Sequence, residues 1–226
     1  ALEAADQIES AKLADSFESL YDEALDALLG GAAVELGQAR RALKGVTPFN
    51  AAAFERLGYP KGRLARRAHE LARLISADVG LKVGFLEAGG WDHHFNEGGS
   101  EGQLARRLEE LAGTIAAFMK ELGPRADDVV LATMTEFGRT LEENGNRGTD
   151  HGHASLMMLF GAGVHGGKVH GRWPGLGPTQ LFEGRDLAVT TDYRQVLGEL
   201  LGRHMGLADL ARVFPGGSFP PIGVLR

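Results

Sequence analysis

The feature that most constrains this chain is an apolar, amphipathic, apolar succession in its middle third. Residues 81–86, Leu-Lys-Val-Gly-Phe-Leu, read as a short strand that runs into a Gly-rich loop. Residues 103–122 read as an amphipathic helix with Leu104, Leu108, Leu111, Ile115 and Phe118 directed inward. Residues 129–134, Val-Val-Leu-Ala-Thr-Met, form a second strand that is nearly all apolar, as expected when both faces of a sheet are covered. Residues 156–160 read as a third. A strand, helix, strand order at this spacing predicts a right-handed βαβ unit, hence an α/β fold with a mostly parallel sheet flanked by helices.

The first third is different. Apolar residues recur at helical spacing over 2–29, with Leu13, Phe17, Leu20, Leu25 and Leu28 among them, and Gly30 and Gly31 come next as a stop. Shorter helices are expected over 34–43 and 51–57, and a longer one over 63–77. These stripes have core packing as their sufficient explanation. The expected organisation is therefore a helical segment, 1–77, acting as a cap or insertion, followed by α/β residues 78–226. Ala1 in place of a methionine, and a first third that is helix only, are what a piece of a larger protein would show. A closing helix is expected over 192–205, capped by Thr191 or Asp192, with Tyr193, Val196, Leu197, Leu200 and Leu201 spaced for burial. The Pro- and Gly-rich tail from Val213 is expected to be irregular.

Composition narrows the function classes. A formal net charge of −6 argues against a nucleic-acid or anionic-membrane partner, because neither phosphate chains nor acidic lipids attract an acidic surface. No apolar run is long enough to span a bilayer. The absence of cysteine removes disulfides, thiolate nucleophiles and Cys-type zinc sites.

Polar residues bunch at the carboxyl ends of the predicted strands, where ligands bind in open α/β sheets. The groups are Trp91-Asp92-His93-His94, Thr135-Glu136-Phe137-Gly138-Arg139-Thr140 and Gly148-Thr149-Asp150-His151-Gly152-His153. Asp92 and His94 are two apart, so in extended chain they point the same way. Five of the eight histidines, at 93, 94, 151, 153 and 165, fall in these loops. Imidazole with carboxylate suits zinc, manganese or iron, and three such groups match a catalytic zinc site with an open position. Arg139 either clamps an anionic group or pairs with Glu142, Glu143 or Asp150. Gly161-x-Gly163-x-x-Gly166 spells a dinucleotide fingerprint, but residues 167–175 read as loop, without the helix that a pyrophosphate site needs.

The motifs Gly89-Gly90-Trp91-Asp92-x-His94, Thr135-Glu136-Phe137-Gly138-Arg139-Thr140, Gly148-Thr149-Asp150-His151-Gly152, Gly166-Gly167-Lys168-Val169 and Thr191-Asp192-Tyr193-Arg194, in this order, resemble a bacterial family, domain-of-unknown-function family 1501. That family in turn resembles the alkaline phosphatase and sulfatase-like superfamily. The resemblance implies an alkaline-phosphatase-like sheet, a periplasmic or secreted setting reached by the twin-arginine route, and a bound divalent metal. By order of motifs it implies metal ligation by Asp92, His94, His151 and Glu136. The substrate would be a small phosphate or sulfate ester, with Glu136 and Arg139 as catalytic residues. Phe137 stands where the superfamily has a ligating histidine, and no strand in residues 1–77 carries the superfamily's nucleophile. Two readings result: a metal-dependent hydrolase of phosphate or sulfate esters, or a non-catalytic binding or assembly module that keeps the fold.

Overall fold

A computed structural model describes residue 37, residues 43–161 and residues 163–226. The expected helix over 2–29, and most of that over 34–43, lie outside the described residues. Among the described residues the elements are α1 (Ala51–Leu57), α2 (Arg63–Ser76), α3 (Gln103–Leu122), β1 (Val130–Ala132), β2 (Leu159–Gly161) and α4 (Tyr193–Glu199), with short 3-10 turns at Gly123–Asp128 and Leu210–Arg212. None of the described helices is long and apolar enough to cross a membrane. The described residues fall into two units, 43–50 with 70–84 and 51–69 with 85–226, so the division cuts through α2 rather than after residue 77.

In the smaller unit, α2 ends in turns closed by Ala77 N–H to the Arg73 carbonyl and Asp78 N–H to the Ile75 carbonyl. Residues 81–86, expected as a strand, form none. They enter no ladder, and Val83 and Phe85 are 66% and 82% exposed. The βαβ unit thus lacks its first strand.

The larger unit holds the two strands that form. They pair antiparallel, with Val130 opposite Gly161, Leu131 opposite Phe160 and Ala132 opposite Leu159. A parallel sheet is not present among the described residues. The connection over residues 133–158 contains no helix and brings the chain back antiparallel.

α3 covers the expected residues and buries Thr114, Ile115, Ala117, Phe118 and Leu122. Leu108, expected to point inward, is exposed and lines an apolar groove of about 390 Å³ with Met158 and Phe160. At the far end of α3, Glu121 accepts the Tyr59 hydroxyl at 2.6 Å and faces His69 Nδ1 at 2.9 Å, while Phe54 stacks on Tyr59. Burial and the neighbouring Glu121 carboxylate push the Tyr59 hydroxyl well above its ordinary range.

α4 starts at a capping box: the Asp192 carboxylate accepts the Arg194 N–H, and the Gln195 side chain accepts the Asp192 N–H. Of the residues spaced for burial, Val196 is buried, whereas Tyr193 is 52% exposed because it sits at the helix's open first turn. The helix widens into one π-helical stretch, Leu200–His204.

The tail is not irregular to its end. Val224 and Leu225 are buried with Val196 against Val130, Met157, Leu159 and Val164. Leu225 bridges Val164, His165 N–H donates to the Val224 carbonyl at 2.7 Å, and Arg226 N–H donates to the Gly163 carbonyl at 2.8 Å. No helix opens after Gly166, so the dinucleotide fingerprint lacks its anion site.

What fixes this tail is a buried carboxylate. Glu199 accepts four backbone N–H groups: Ile222 at 3.0 Å, Gly223 at 2.8 Å, Val224 at 3.2 Å and Leu225 at 3.0 Å. Burial alone would raise the Glu199 carboxyl, but the donors of Leu225, Val224 and Gly223 outweigh it and hold it below the usual range. Replacing Glu199 with Ala strands those donors in the core and should cost about 3–5 kcal/mol in denaturant unfolding. A lowered folded pKa means that this stabilisation is complete above the ordinary carboxylate value and is lost as pH falls through the lowered one. The melting temperature of the wild type should therefore drop in acid more steeply than that of Glu199→Gln. Parallel acid curves for the two would disprove the anchor.

Candidate metal centre

The site is built by continuing the β1–β2 pairing outward. Beyond the strands, Thr133 N–H donates to the Met158 carbonyl, Gly152 N–H to the Gly138 carbonyl at 2.8 Å, and Thr140 N–H to the Asp150 carbonyl at 3.0 Å. Arg139 and His151 thereby face each other as an isolated antiparallel bridge. The loop after residue 91 is fastened to the same frame. Thr149 N–H donates to the His93 carbonyl, Asn96 N–H to the Asn146 carbonyl and Glu97 N–H to the Arg147 carbonyl. Residues 92–97 and 144–149 therefore lie backbone against backbone. Gly148 permits this, since a Cβ there would press into the carbonyls of His93 and His94.

At this junction three side chains converge. Asp92 Oδ1 lies 3.0 Å from His94 Nε2 and 3.0 Å from His151 Nε2, and the two Nε2 atoms are 3.2 Å apart. No other group of three His, Asp or Glu side chains comes together in this way among the described residues. All three are accessible: the Asp92 side chain is 66% exposed and that of His94 32%.

The proton inventory of this triangle is its most informative property. His94 Nδ1 sits 2.9 Å from Asp150 Oδ1, and an ionised carboxylate only accepts, so Nδ1 carries the proton. Neutral His94 then points the lone pair of Nε2 at the Asp92 carboxylate and at His151 Nε2. Protonating one ring leaves a lone pair facing another acceptor, and protonating both turns two N–H groups onto the single Asp92 oxygen with two cationic rings side by side. Every distribution of protons leaves at least one edge pairing like with like. A divalent cation in the middle satisfies all three at once. Tetrahedral coordination at zinc–nitrogen distances places ligand atoms about 3.3 Å apart, slightly wider than the edges here. The donor set and its spacing fit a metal.

The surrounding groups hold the triangle in place. Arg139 donates from Nη1 to Asp92 Oδ1 at 2.7 Å, from Nε to Thr149 Oγ1 at 3.0 Å, and from Nη2 to the Thr149 carbonyl. The Arg139 guanidinium, and then His151, lower the Asp92 carboxyl to about 2. Asp150 is also held low, first by the Asn144 amide and then by His94. Asn144 is the hub of the loop: its Nδ2 donates to the His94 carbonyl at 3.1 Å and to Asp150 Oδ1 at 3.0 Å, while its Oδ1 accepts from Asn146 and Gly148. The Thr149 hydroxyl donates to Glu97 at 2.7 Å.

Asp92, His94 and His151 are brought together as expected, and Arg139 joins them. Arg139 pairs with Asp92 rather than with Glu142, Glu143 or Asp150, because its bridge to His151 aims it across the hairpin. Glu136 stands apart. It is exposed, and its carboxylate accepts from its neighbour Thr135 at 3.3 Å. Phe137, which cannot ligate, packs its ring 4.2 Å from that of His151. The remaining loop histidines have other duties: His93 is buried, His153 stacks on Phe182 at 4.0 Å, and His165 meets His170 edge to face. Asn144 and Glu97 are absent from the sequence expectations, although the Asn144-Gly145-Asn146 turn was the available signal for the first.

No curated protein and no solved structure matches this chain. The family model described as protein of unknown function, DUF1501, matches residues 9–216, which include every member of the triangle and its supports. With a match over most of its length, the chain belongs to the DUF1501 family.

Proposed function

We propose that Asp92, His94 and His151 hold one divalent metal, zinc, manganese or iron, and that the chain is a metal-dependent hydrolase of phosphate or sulfate esters. The observation that carries the metal is the convergence of one carboxylate oxygen and two imidazole nitrogens, 3.0, 3.0 and 3.2 Å apart. The ester chemistry rests on resemblance, together with the alkaline-phosphatase-like parallel sheet and exported setting that the resemblance implies. A metal bound here would polarise the ester oxygen and lower the pKa of a bound water.

The chain's own groups have definite tasks in this reading. Asp150 fixes the His94 tautomer so that Nε2 is the ligating atom, the usual arrangement of carboxylate, histidine and metal. Phe137 fixes the plane of the His151 ring by packing. Arg139 orients Asp92 with one N–H and grips Thr149 with two more. Two of its five N–H groups remain for an anionic oxygen beside the metal. Glu136, outside the triangle, has no ligand role in this reading.

A second reading, a non-catalytic binding module with the same fold, is favoured by one observation. Phe137 fills, against His151, the place that resemblance assigns to a ligating histidine.

Elemental analysis after loading with zinc, manganese or iron should find close to one metal per chain in the wild type and none in Asp92→Ala or His151→Ala. Failure of all three ions to bind wild-type protein would sink the metal centre. Hydrolysis of 4-nitrophenyl phosphate or sulfate that tracks metal content supports the enzyme, whereas stoichiometric metal without hydrolysis supports the module. Asp150→Asn should keep the far-ultraviolet circular dichroism of the wild type but weaken metal affinity about 10- to 100-fold in chelator competition. Unchanged affinity would remove Asp150 from the site.

A further inference from the structure

A second feature adjoins the triangle. The loop that delivers Asp92 forms, through Glu87 to Trp91, one wall of a cleft of about 460 Å³; the start of α2 and the first turns of α3 form the rest. That volume is in the range of small-molecule sites. Its lining is mostly polar, with Trp91 as the one aromatic face.

The charges in the cleft are not self-balancing. Arg107 pairs with Glu110 at 3.0 Å, so this couple is neutral. Gly90, whose φ of 87° favours glycine, runs close beneath the Arg107 guanidinium. Lys61 and Arg63 also line the cleft, and among the described residues neither side chain has an anionic partner. Against them stands one further carboxylate, Glu87. Two cations with one acid leave a net positive cleft on a chain whose formal net charge is −6.

Each group selects chemistry. The flat face of Trp91 suits a ring with an apolar face. The acceptor-only carboxylates of Glu87 and Glu110, beside donor-only Arg107, suit neighbouring hydroxyls, which both donate and accept. Lys61 and Arg63 suit an acidic substituent. We propose that this cleft binds an anionic saccharide, a sugar ring carrying a sulfate, phosphate or carboxylate, and holds it with one edge at Asp92. In the hydrolase reading, on which this placement in the reaction rests, the saccharide is the alcohol part of the ester. The binding itself needs no metal.

Calorimetric titration of the full chain with glucose 6-sulfate, glucuronic acid and glucose tests this. The two acidic sugars should bind at least tenfold more tightly than glucose. Lys61→Ala/Arg63→Ala should lower their affinity about tenfold or more and leave glucose unchanged, and Trp91→Ala should weaken all three. Circular dichroism checks that the variants are folded, and Arg63→Lys, which keeps the charge, should restore most of the affinity lost in Arg63→Ala. Wild-type protein stripped of metal by a chelator should bind acidic sugars as the loaded protein does, which separates the cleft from the metal: wild-type protein that takes up no metal yet binds acidic sugars overturns only the hydrolase reading. No binding of either acidic sugar, or binding indifferent to Lys61 and Arg63, overturns the cleft.

Discussion

The carboxylate of Glu199 holds the carboxy-terminal tail against the core of the larger unit. The core there is small: Val196 from α4, Val224 and Leu225 from the tail, and the partly buried side chains of both strands. A tail of Pro-Gly-rich composition has no helical or strand propensity of its own with which to keep Val224 and Leu225 in that core. Four N–H groups on one carboxylate supply what propensity does not, each contributing about 1 kcal/mol net and all depending on the same side chain. Once the tail is held, residues 163–165 are pinned beside β2. The strand pair then has a covered face, which a lone hairpin in water lacks.

From that anchored pair the candidate metal centre is reached by short steps of backbone pairing. The hairpin leaves β1 and β2 and still brings Arg139 opposite His151. The loop at 144–149 then fastens residues 92–97. The side chains need little freedom, because the positions of their Cα atoms are already set. Strong charge coupling at an exposed place is the result: three ligand atoms, two further carboxylates and a guanidinium are linked through direct contacts while the Asp92 side chain is two-thirds exposed. Exposed ionic clusters of this kind contribute little to stability. The arrangement is better explained by what it can bind than by what it can hold.

The helices over 51–57, 63–76, 103–122 and 193–199 were legible because their apolar residues repeat at helical spacing, and Asp192 announced the last of them. The ligand triangle was legible because Asp-x-His and Asp-His-Gly-His are unusual residue types to place beside apolar strand ends. Strand direction was not. The crossover helix precedes β1 as expected, but residues 81–86, the strand it would start from, enter no ladder, and the loop over 133–158 returns the chain antiparallel. Residues 81–86 have the composition of a strand, but a strand exists only with a partner, and partnership is not a local property. Leu108 and Tyr193 sit at helical spacing on faces that meet a groove and a helix start. Glu97, the partners of Asn144 and the pairing of Arg139 with Asp92 were invisible for a related reason. They depend on which loops touch, and polar residues carry no periodicity that would say so.

The distance along the chain between the ligands has a kinetic meaning. Asp92 and His94 are neighbours, but His151 lies 57 residues beyond His94. In an unfolded chain, closing a loop of that length costs several kcal/mol of entropy, so a metal ion would find at most two ligands there and bind weakly. The third arrives only after β1 and β2 have paired and the hairpin has extended to Arg139 and His151. An ion that binds only the finished arrangement draws its full binding energy into the folded state. The same ion contributes nothing to the early, rate-determining search for the strand pairing. It would act as a latch, set late, that slows unfolding and leaves the rate of folding to the polypeptide.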